Sequence, residues 1–441
     1  MSRPTETPVA PDVAPPARGA QEARPSLLFV NQHYWPDVAS TGQHLTDLAE
    51  YLAEHGYDVH VLASRGHYLK GRLPAPLQER HNGVDIHRVQ TTGFGRARVL
   101  GRLVDYASFY VQVMWALLAG DHGKRYDGVV FLTTPPLLSF LGAIARLLRG
   151  QRYGVWSMDL HPDAEIESGM LRRGALLTRI LEWMHAVGLR RADFIVDLGP
   201  YMKRRILARG VRAERTHTVN VWNRKEEVEP IAREDNPLLD ELGLRDRFVV
   251  MYSGNAGIVH EFGPILEAMR LLKDDPKVYW LFVGDGPRRK EIERYVAEHG
   301  IRNFSYRGYF TRDQLRYSLS VADAHLISLK PELVGVAVPG KLYGIIASGR
   351  PAIFVGPRES ESGETVEKAG CGVVIEPQAG GAAELLATTI KQWMQGPHTV
   401  LALGEAGRAA FEQSFEREAC CRTWTRLLSG LRSVDSNAGS A

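Results

Sequence analysis

The chain has 441 residues, 44% of them apolar and 24% charged, with a net charge of +3; these are the proportions of a globular protein too long for one ordinary core. A charge that small excludes a chain built to coat nucleic acid, and three cysteines without a spaced framework (Cys371, Cys420, Cys421) exclude a disulfide scaffold and suit a reducing cytoplasm. Residues 1–25 are rich in Pro, Ala and Glu and lack an apolar core, so they read as a disordered tail rather than a signal peptide.

Residues 26–223 alternate strands and helices. The apolar run 26–31 ends in a polar loop, and Gly42 opens an amphipathic helix with Leu45, Leu48, Ala49 and Leu52 on one face. A strand, a glycine turn and a helix amino terminus form an anion site, because unpaired backbone N–H groups point outward there; a tight turn that simply needs glycine is the alternative. Further strands are expected at 59–63, 83–89, 128–132, 153–158, 194–197 and 217–221. The apolar stretch 129–148 is broken by Thr133-Thr134-Pro135-Pro136 and so is not a membrane span. Segment 93–119 mixes Arg96, Arg98 and Arg102 with Tyr106, Phe109, Tyr110 and Trp115, and 170–193 repeats that character. Such basic, aromatic helices either face the core with solvated arginines or dock on an anionic membrane surface. The strand 153–158 empties into Asp159-Leu160-His161-Pro162-Asp163, two carboxylates and an imidazole where parallel sheets place their chemistry.

Residues 224–245 are charged and aperiodic and are expected to link this domain to a second one, 246–398. There the strand 248–253 leads into Gly254-Asn255-Ala256-Gly257, the strand 278–283 into Gly284-Asp285-Gly286-Pro287, and the strand 304–307 into Gly308-Tyr309-Phe310. After a strand at 324–329, Pro339 opens a helix carrying Lys341 and Tyr343 that ends at Gly349, the usual punctuation of a helix. A strand at 352–355, a helix at 361–369 and a strand at 373–375 follow. Residues 399–441 are expected to form a long helix to about 431, broken at Gly404 or Gly407, that packs across both domains. Two doubly wound, Rossmann-like α/β halves with a cleft between them are the expected architecture.

The segments NQHYWPDVASTGQHLTDLAEYLAEHGYDV, FLTTPPLLSFLGAIARLL with DLHPD, YSGN, VGDGPRRKEIE, and VPGKLYGIIASGRP with EKAGCGVVIEP occur in this order. Through them the chain, over about 27–428, resembles the retaining glycosyltransferases of family 4, in particular the branch that builds bacterial surface polysaccharides. The resemblance implies the GT-B fold, an acceptor on the first domain and a nucleotide-sugar donor on the second. It places Gly42, Ser253, Gly254 and Asn255 at the donor diphosphate, Gly284, Gly286, Tyr309 and Phe310 at the nucleobase and ribose, Glu361 and Thr365 beside the donor, and Asp159 and His161 beside the reacting sugar.

The sequence departs from the family at two points. Asn255 and His260 occupy positions where the family carries an Arg and a Lys that grip the diphosphate. Gly344 and Val336 stand where it carries a pair of glutamates eight residues apart. A leaving diphosphate needs positive charge, and Lys341, in the first turn of a helix facing the cleft, is the expected replacement, with a protonated His260, Arg350 or Arg358 behind it. The chain has no Asp-x-Asp, so no metal or other cofactor is expected. The implied reaction moves a sugar, UDP-linked by family habit, to a lipid-linked or glycan acceptor at the cytoplasmic face of the membrane. A non-catalytic sugar-nucleotide-binding subunit and a GT-B-fold epimerase are the alternatives; nucleotide binding without turnover would identify the first, and a rearranged free sugar the second.

Overall fold

The structure, a computed structural model, describes residues 24–37, 39–66, 74–94, 99–119 and 126–438; most of the expected tail, together with Arg96 and Arg98, lies outside them. The first half builds an eight-stranded sheet from β1 (Ser26–Val30), β2 (Asp58–Ser64), β3 (Gln78–His81), β4 (Val84–Val89), β5 (Gly128–Phe131), β6 (Tyr153–Trp156), β7 (Phe194–Asp197) and β8 (Thr216–Thr218). Its order is β3-β4-β2-β1-β5-β6-β7-β8. The second half builds a six-stranded sheet from β9 (Phe248–Ser253), β10 (Val278–Val283), β11 (Phe304–Arg307), β12 (Ala324–Ser328), β13 (Ala352–Val355) and β14 (Gly372–Ile375), in the order β11-β10-β9-β12-β13-β14. Strands are parallel throughout, apart from the antiparallel pair β3–β4. The inner strands are continuous apolar runs such as Val249-Val250-Met251-Tyr252, because helices cover both faces of the sheet. Strand β3 has no counterpart in the sequence reading: Gln78–His81 is polar on both faces at the sheet edge, so neither alternation nor an apolar run marks it.

Residues 224–245 are not a free linker. Arg233 pairs with Asp323 at 2.9 Å and Asn236 caps the short helix Pro237–Glu241, whose Leu238 and Leu239 pack with Val249 and Met251. The carboxyl-terminal segment is two helices, Pro397–Ser414 and Arg417–Ala438, separated at Phe415-Glu416. Gly404 and Gly407, where a break was expected, are instead contact points inside the first helix. A Cβ on Gly404 would lie 2.1 Å from the Gly349 carbonyl oxygen, and one on Gly407 would lie 3.0 Å from Cys371. The last helix does cross back: the Trp424 ring meets Trp156 edge-on at 4.9 Å, and Arg417 donates to the Asp47 carbonyl at 2.9 Å.

The halves also touch directly. Leu160 N donates to Val336 O at 2.9 Å, Arg205 Nε to Val334 O at 2.8 Å, and Met202 N to Glu361 Oε1 at 2.8 Å. One apolar cluster runs from β1 through Trp222 to Tyr343 and Phe354. The carboxyl ends of both sheets therefore face one cleft.

Candidate active site

On the second domain, β9 ends at Ser253 and the chain turns through Gly254 (φ +123°), a conformation that glycine adopts without strain. β10 ends in the parallel turn at Gly284 (φ +127°) and Gly286 (φ +150°). The two turns lie on each other so closely that a Cβ on Gly284 would be 2.3 Å from the Gly254 oxygen, and one on Gly286 would be 2.6 Å from the Ala256 nitrogen. Both glycine turns are thus packing requirements of a floor made of backbone.

Lys341 stands on that floor. It is the first residue of the helix Lys341–Ala347, and its Nζ reaches the β9 turn of the same domain. It donates to the Tyr252 hydroxyl, to Asn255 O at 3.2 Å and to His260 Nε2 at 3.1 Å, and sits 3.9 Å from the centre of the Tyr252 ring. Its amino group therefore lies between Asn255 and His260. Among the described residues it makes no ion pair. Burial without a counter-ion holds it well below the ordinary lysine value.

His260, offered as a cation only if protonated, is held in surroundings that oppose protonation. It is buried, its Nδ1–H donates to Ser328 O at 2.6 Å, and its Nε2 is left to accept from Lys341. Burial, reinforced by Lys341, pushes it down to about 3. Arg350 and Arg358 are also committed elsewhere: Arg350 donates to Ile231 O at 2.8 Å and Ser320 O at 3.0 Å, and Arg358 pairs with Glu367. Tyr252, which the sequence reading passed over as a strand residue, completes the lysine's cradle. Its hydroxyl donates to Asn255 O at 2.8 Å.

On the first domain, Asp159, His161 and His185 line one small pocket with Thr133, Ser139 and Ser157. Asp159 is anchored by a backbone bridge to Ala337 of the other domain. Burial raises its carboxyl, partly offset by His161. His161 Nδ1 is 2.8 Å from Glu165 Oε1. Burial alone would lower His161, but the hydrogen bond and charge of Glu165, with Asp159 and Asp163, carry it above its ordinary value. Glu165 lies four residues from His161, the spacing of neighbours on a helix face; His185, pushed down to about 4 by burial, had no local signal. Asp163 is drawn away by Arg209 at 2.6 Å.

The remaining expected residues divide. Gly42 lies inside the helix Ser40–Glu54 rather than opening it, and its missing Cβ makes room for the His33 carbonyl, 3.0 Å from where that Cβ would be. Tyr309 is exposed beyond β11, whereas Phe310 packs on the Val249 cluster. The Glu361 carboxylate accepts the Met202 N–H and so caps the helix Pro200–Ala208 of the opposite domain. Thr365 returns its hydroxyl to Glu361 O at 2.7 Å within its own helix. Gly344 is buried against Asn223 and Leu319.

Two features lie apart from the cleft. A cavity bounded by Tyr57, Tyr126, Arg149 and Leu428 opens at the amino-terminal ends of the strands and gathers no reactive set. Asp58, His60 and Asp85, the group with metal-ligating spacing among the described residues, sits at that same end, on β2 and β4.

The family described as glycosyl transferase 4-like domain matches residues 41–222. WcaI of Escherichia coli (strain K12), whose name places it among the glycosyl transferases of colanic acid biosynthesis, is 25% identical over 406 residues, spanning 89% of this chain and 98% of its own. A sucrose-phosphate synthase from Thermosynechococcus elongatus superposes with a TM-score of 0.74 at 18% identity, covering 93% of this chain and 100% of its own. HepE of Anabaena, in complex with UDP-glucose, superposes with a TM-score of 0.67 at 16% identity over 92% and 99%. The two-sheet architecture is the GT-B fold.

Proposed function

We propose that this chain, a glycosyltransferase of the family-4 kind built on the GT-B fold, moves a hexosyl or N-acetylhexosaminyl unit from a UDP-linked donor to a lipid-linked or glycan acceptor, with retention at the anomeric carbon, in surface polysaccharide assembly. The observation that carries this reading is the Lys341 ammonium, held between Asn255 and His260 at 3.2 and 3.1 Å. The relatives point the same way: HepE holds UDP-glucose, and WcaI is named for polysaccharide synthesis.

As the bond from the anomeric carbon to the donor phosphate breaks, negative charge grows on the departing diphosphate, and stabilising that charge is the main demand on the site. A diphosphate lying on the floor would favour the charged form of Lys341, which then supplies a cation in place of the missing Arg and Lys. A neutral His260 suits this role, since it accepts from the ammonium without repelling it. On the acceptor side, His161 spends Nδ1 on Glu165 and keeps Nε2–H for a sugar hydroxyl or the developing charge at the ring. Asp159 orients the nucleophilic hydroxyl, whose proton passes to the departing phosphate on the same face, so no separate general base is needed. The domains closing over both groups exclude water and suppress donor hydrolysis. Contact with the inner face of the membrane belongs to this reading; among the described residues no helix is long and apolar enough to cross it.

The test is a thermal-shift screen of nucleotide sugars, followed by NMR of the product's anomeric proton in the presence of a chelator. A UDP-sugar should raise the melting temperature, and the product should keep the donor's configuration with chelator present. Inversion would overturn the mechanism, loss of turnover in chelator would overturn metal independence, and UDP binding without any turnover would favour the non-catalytic subunit.

A further inference from the structure

The helix Val99–Ala119 has an unusual outer side: from 100 to 119 every exposed residue is apolar. Leu100, Leu103, Val104, Val111 and Trp115 are between 47% and 78% exposed, and their spacing draws one stripe about 22 Å long. Arg102 is not on it; its charge lies near Glu165 of the acceptor pocket. Two neighbouring helices extend the surface. Leu147 and Leu148 end the helix Leu138–Arg149, which is tied to the first by Arg149 donating to Leu117 O at 3.1 Å. Leu176, Ile180 and Trp183 are exposed on Leu176–Arg190, whose Trp183 meets Phe140 edge-on. Arg172, Arg173, Arg179 and Arg190 stand exposed around that helix.

Apolar side chains exposed on three neighbouring helices, with arginines exposed around one of them, are the pattern of a surface seated in the headgroup and acyl boundary of a bilayer. We infer that this three-helix face inserts into the membrane by its apolar side chains, and that it delivers a lipid-linked acceptor to the Asp159 pocket. The second half of this inference rests on the transferase reading. Its support is that the same helices wall the pocket: Leu138 and Ser139 come from one and His185 from another, while Tyr110 of the first donates to the Pro136 carbonyl beside it. An acceptor held by its lipid in the bilayer would present its headgroup where Asp159 and His161 converge. Of the arginines on which the sequence reading based docking, Arg96 and Arg98 lie outside the described residues; attraction by exposed charge alone would fade in salt, whereas apolar insertion persists.

The experiment is sedimentation of the full chain with phosphatidylcholine vesicles and with vesicles containing phosphatidylglycerol, at low and high salt, for wild type and Val111→Glu/Trp115→Glu. Both vesicle types should bind the wild type, the anionic ones more tightly, with a salt-resistant fraction; the variant should lose about tenfold or more in partitioning. Brominated lipid should quench the exposed Trp115 and Trp183 in the wild type. Binding that vanishes in high salt, absence of quenching, or a dimer dissolved by the same variant would each overturn the insertion. UDP binding is measured on both proteins. Retained UDP binding without vesicle binding would remove this face and leave the transferase intact; vesicle binding without UDP binding would do the reverse.

Discussion

Two of the cleft's histidines, His260 on the second domain and His161 on the first, are shifted in opposite directions. His260 is buried beside an ammonium with a backbone carbonyl on its other nitrogen, and is pushed down to about 3. His161 is nearly as enclosed but faces Glu165, Asp159 and Asp163, and is held above its ordinary value. Desolvation disfavours the charged ring at both places; only neighbouring carboxylates reverse the outcome. On the donor side a lysine without a counter-ion donates to a histidine that accepts, while on the acceptor side neighbouring carboxylates favour the charged ring. The same residue type is an acceptor in one half and is drawn toward its charged form in the other.

The sharpest way to break this contrast is to remove the lysine. Lys341→Ala should lower turnover by a factor of about 100 or more, the scale of losing one charge donor at a developing anion, measured in steady state with the donor found by screening. The sharper arm is Lys341→Ala/His260→Lys, which returns a cation to the adjoining position. It should recover part of the lost rate. Wild-type turnover in the single variant would show that the charge lies elsewhere.

Much of this was legible in the sequence, and the limits have physical causes. Apolar strands with glycine at their carboxyl ends announced both parallel sheets, since a covered strand has to be apolar and a backbone floor has to lack side chains. Lys341 was singled out because Asn255 and His260 stand at the two positions for which the resemblance implies cations. What adjoins Lys341 was not legible: Tyr252 sits 89 residues away in the chain, and nothing local marks it as more than a strand residue. The charge of His260 was left open for the same reason, because it depends on burial and on Lys341, a partner distant in the chain. The apolar outer stripe of residues 100–119 was not legible, because composition counts residues without saying which way the helix faces.

The second prediction uses pH. His161 is raised above its ordinary 6.5, so its contribution to stability is complete below that value and is lost as pH rises through the raised one. Glu165 is lowered below 4.5, so its share is complete above 4.5 and is lost as pH falls through the lowered value. The pair thus stabilises most between 4.5 and 6.5. Thermal melts of wild type and His161→Gln should differ most in that window and converge toward alkaline pH. A constant difference would mean that His161 is neutral, and the contrast with His260 would fail.

The smallest effect is expected at Glu361, where the sequence and the structure assign different roles. Its carboxylate caps the amino terminus of the opposite domain's helix through Met202 N–H at 2.8 Å, and burial raises its carboxyl above the ordinary value. Glutamine keeps the acceptor and removes the charge that favours a helix amino terminus. The cost should be about 0.5–1 kcal/mol in urea denaturation, moderated because burial already disfavours that charge. Turnover should be close to wild type, since the group holds the domains together rather than the donor. A large fall in turnover or in UDP affinity with little change in stability would return Glu361 to the donor site, and would mean that the cap opens when the nucleotide binds.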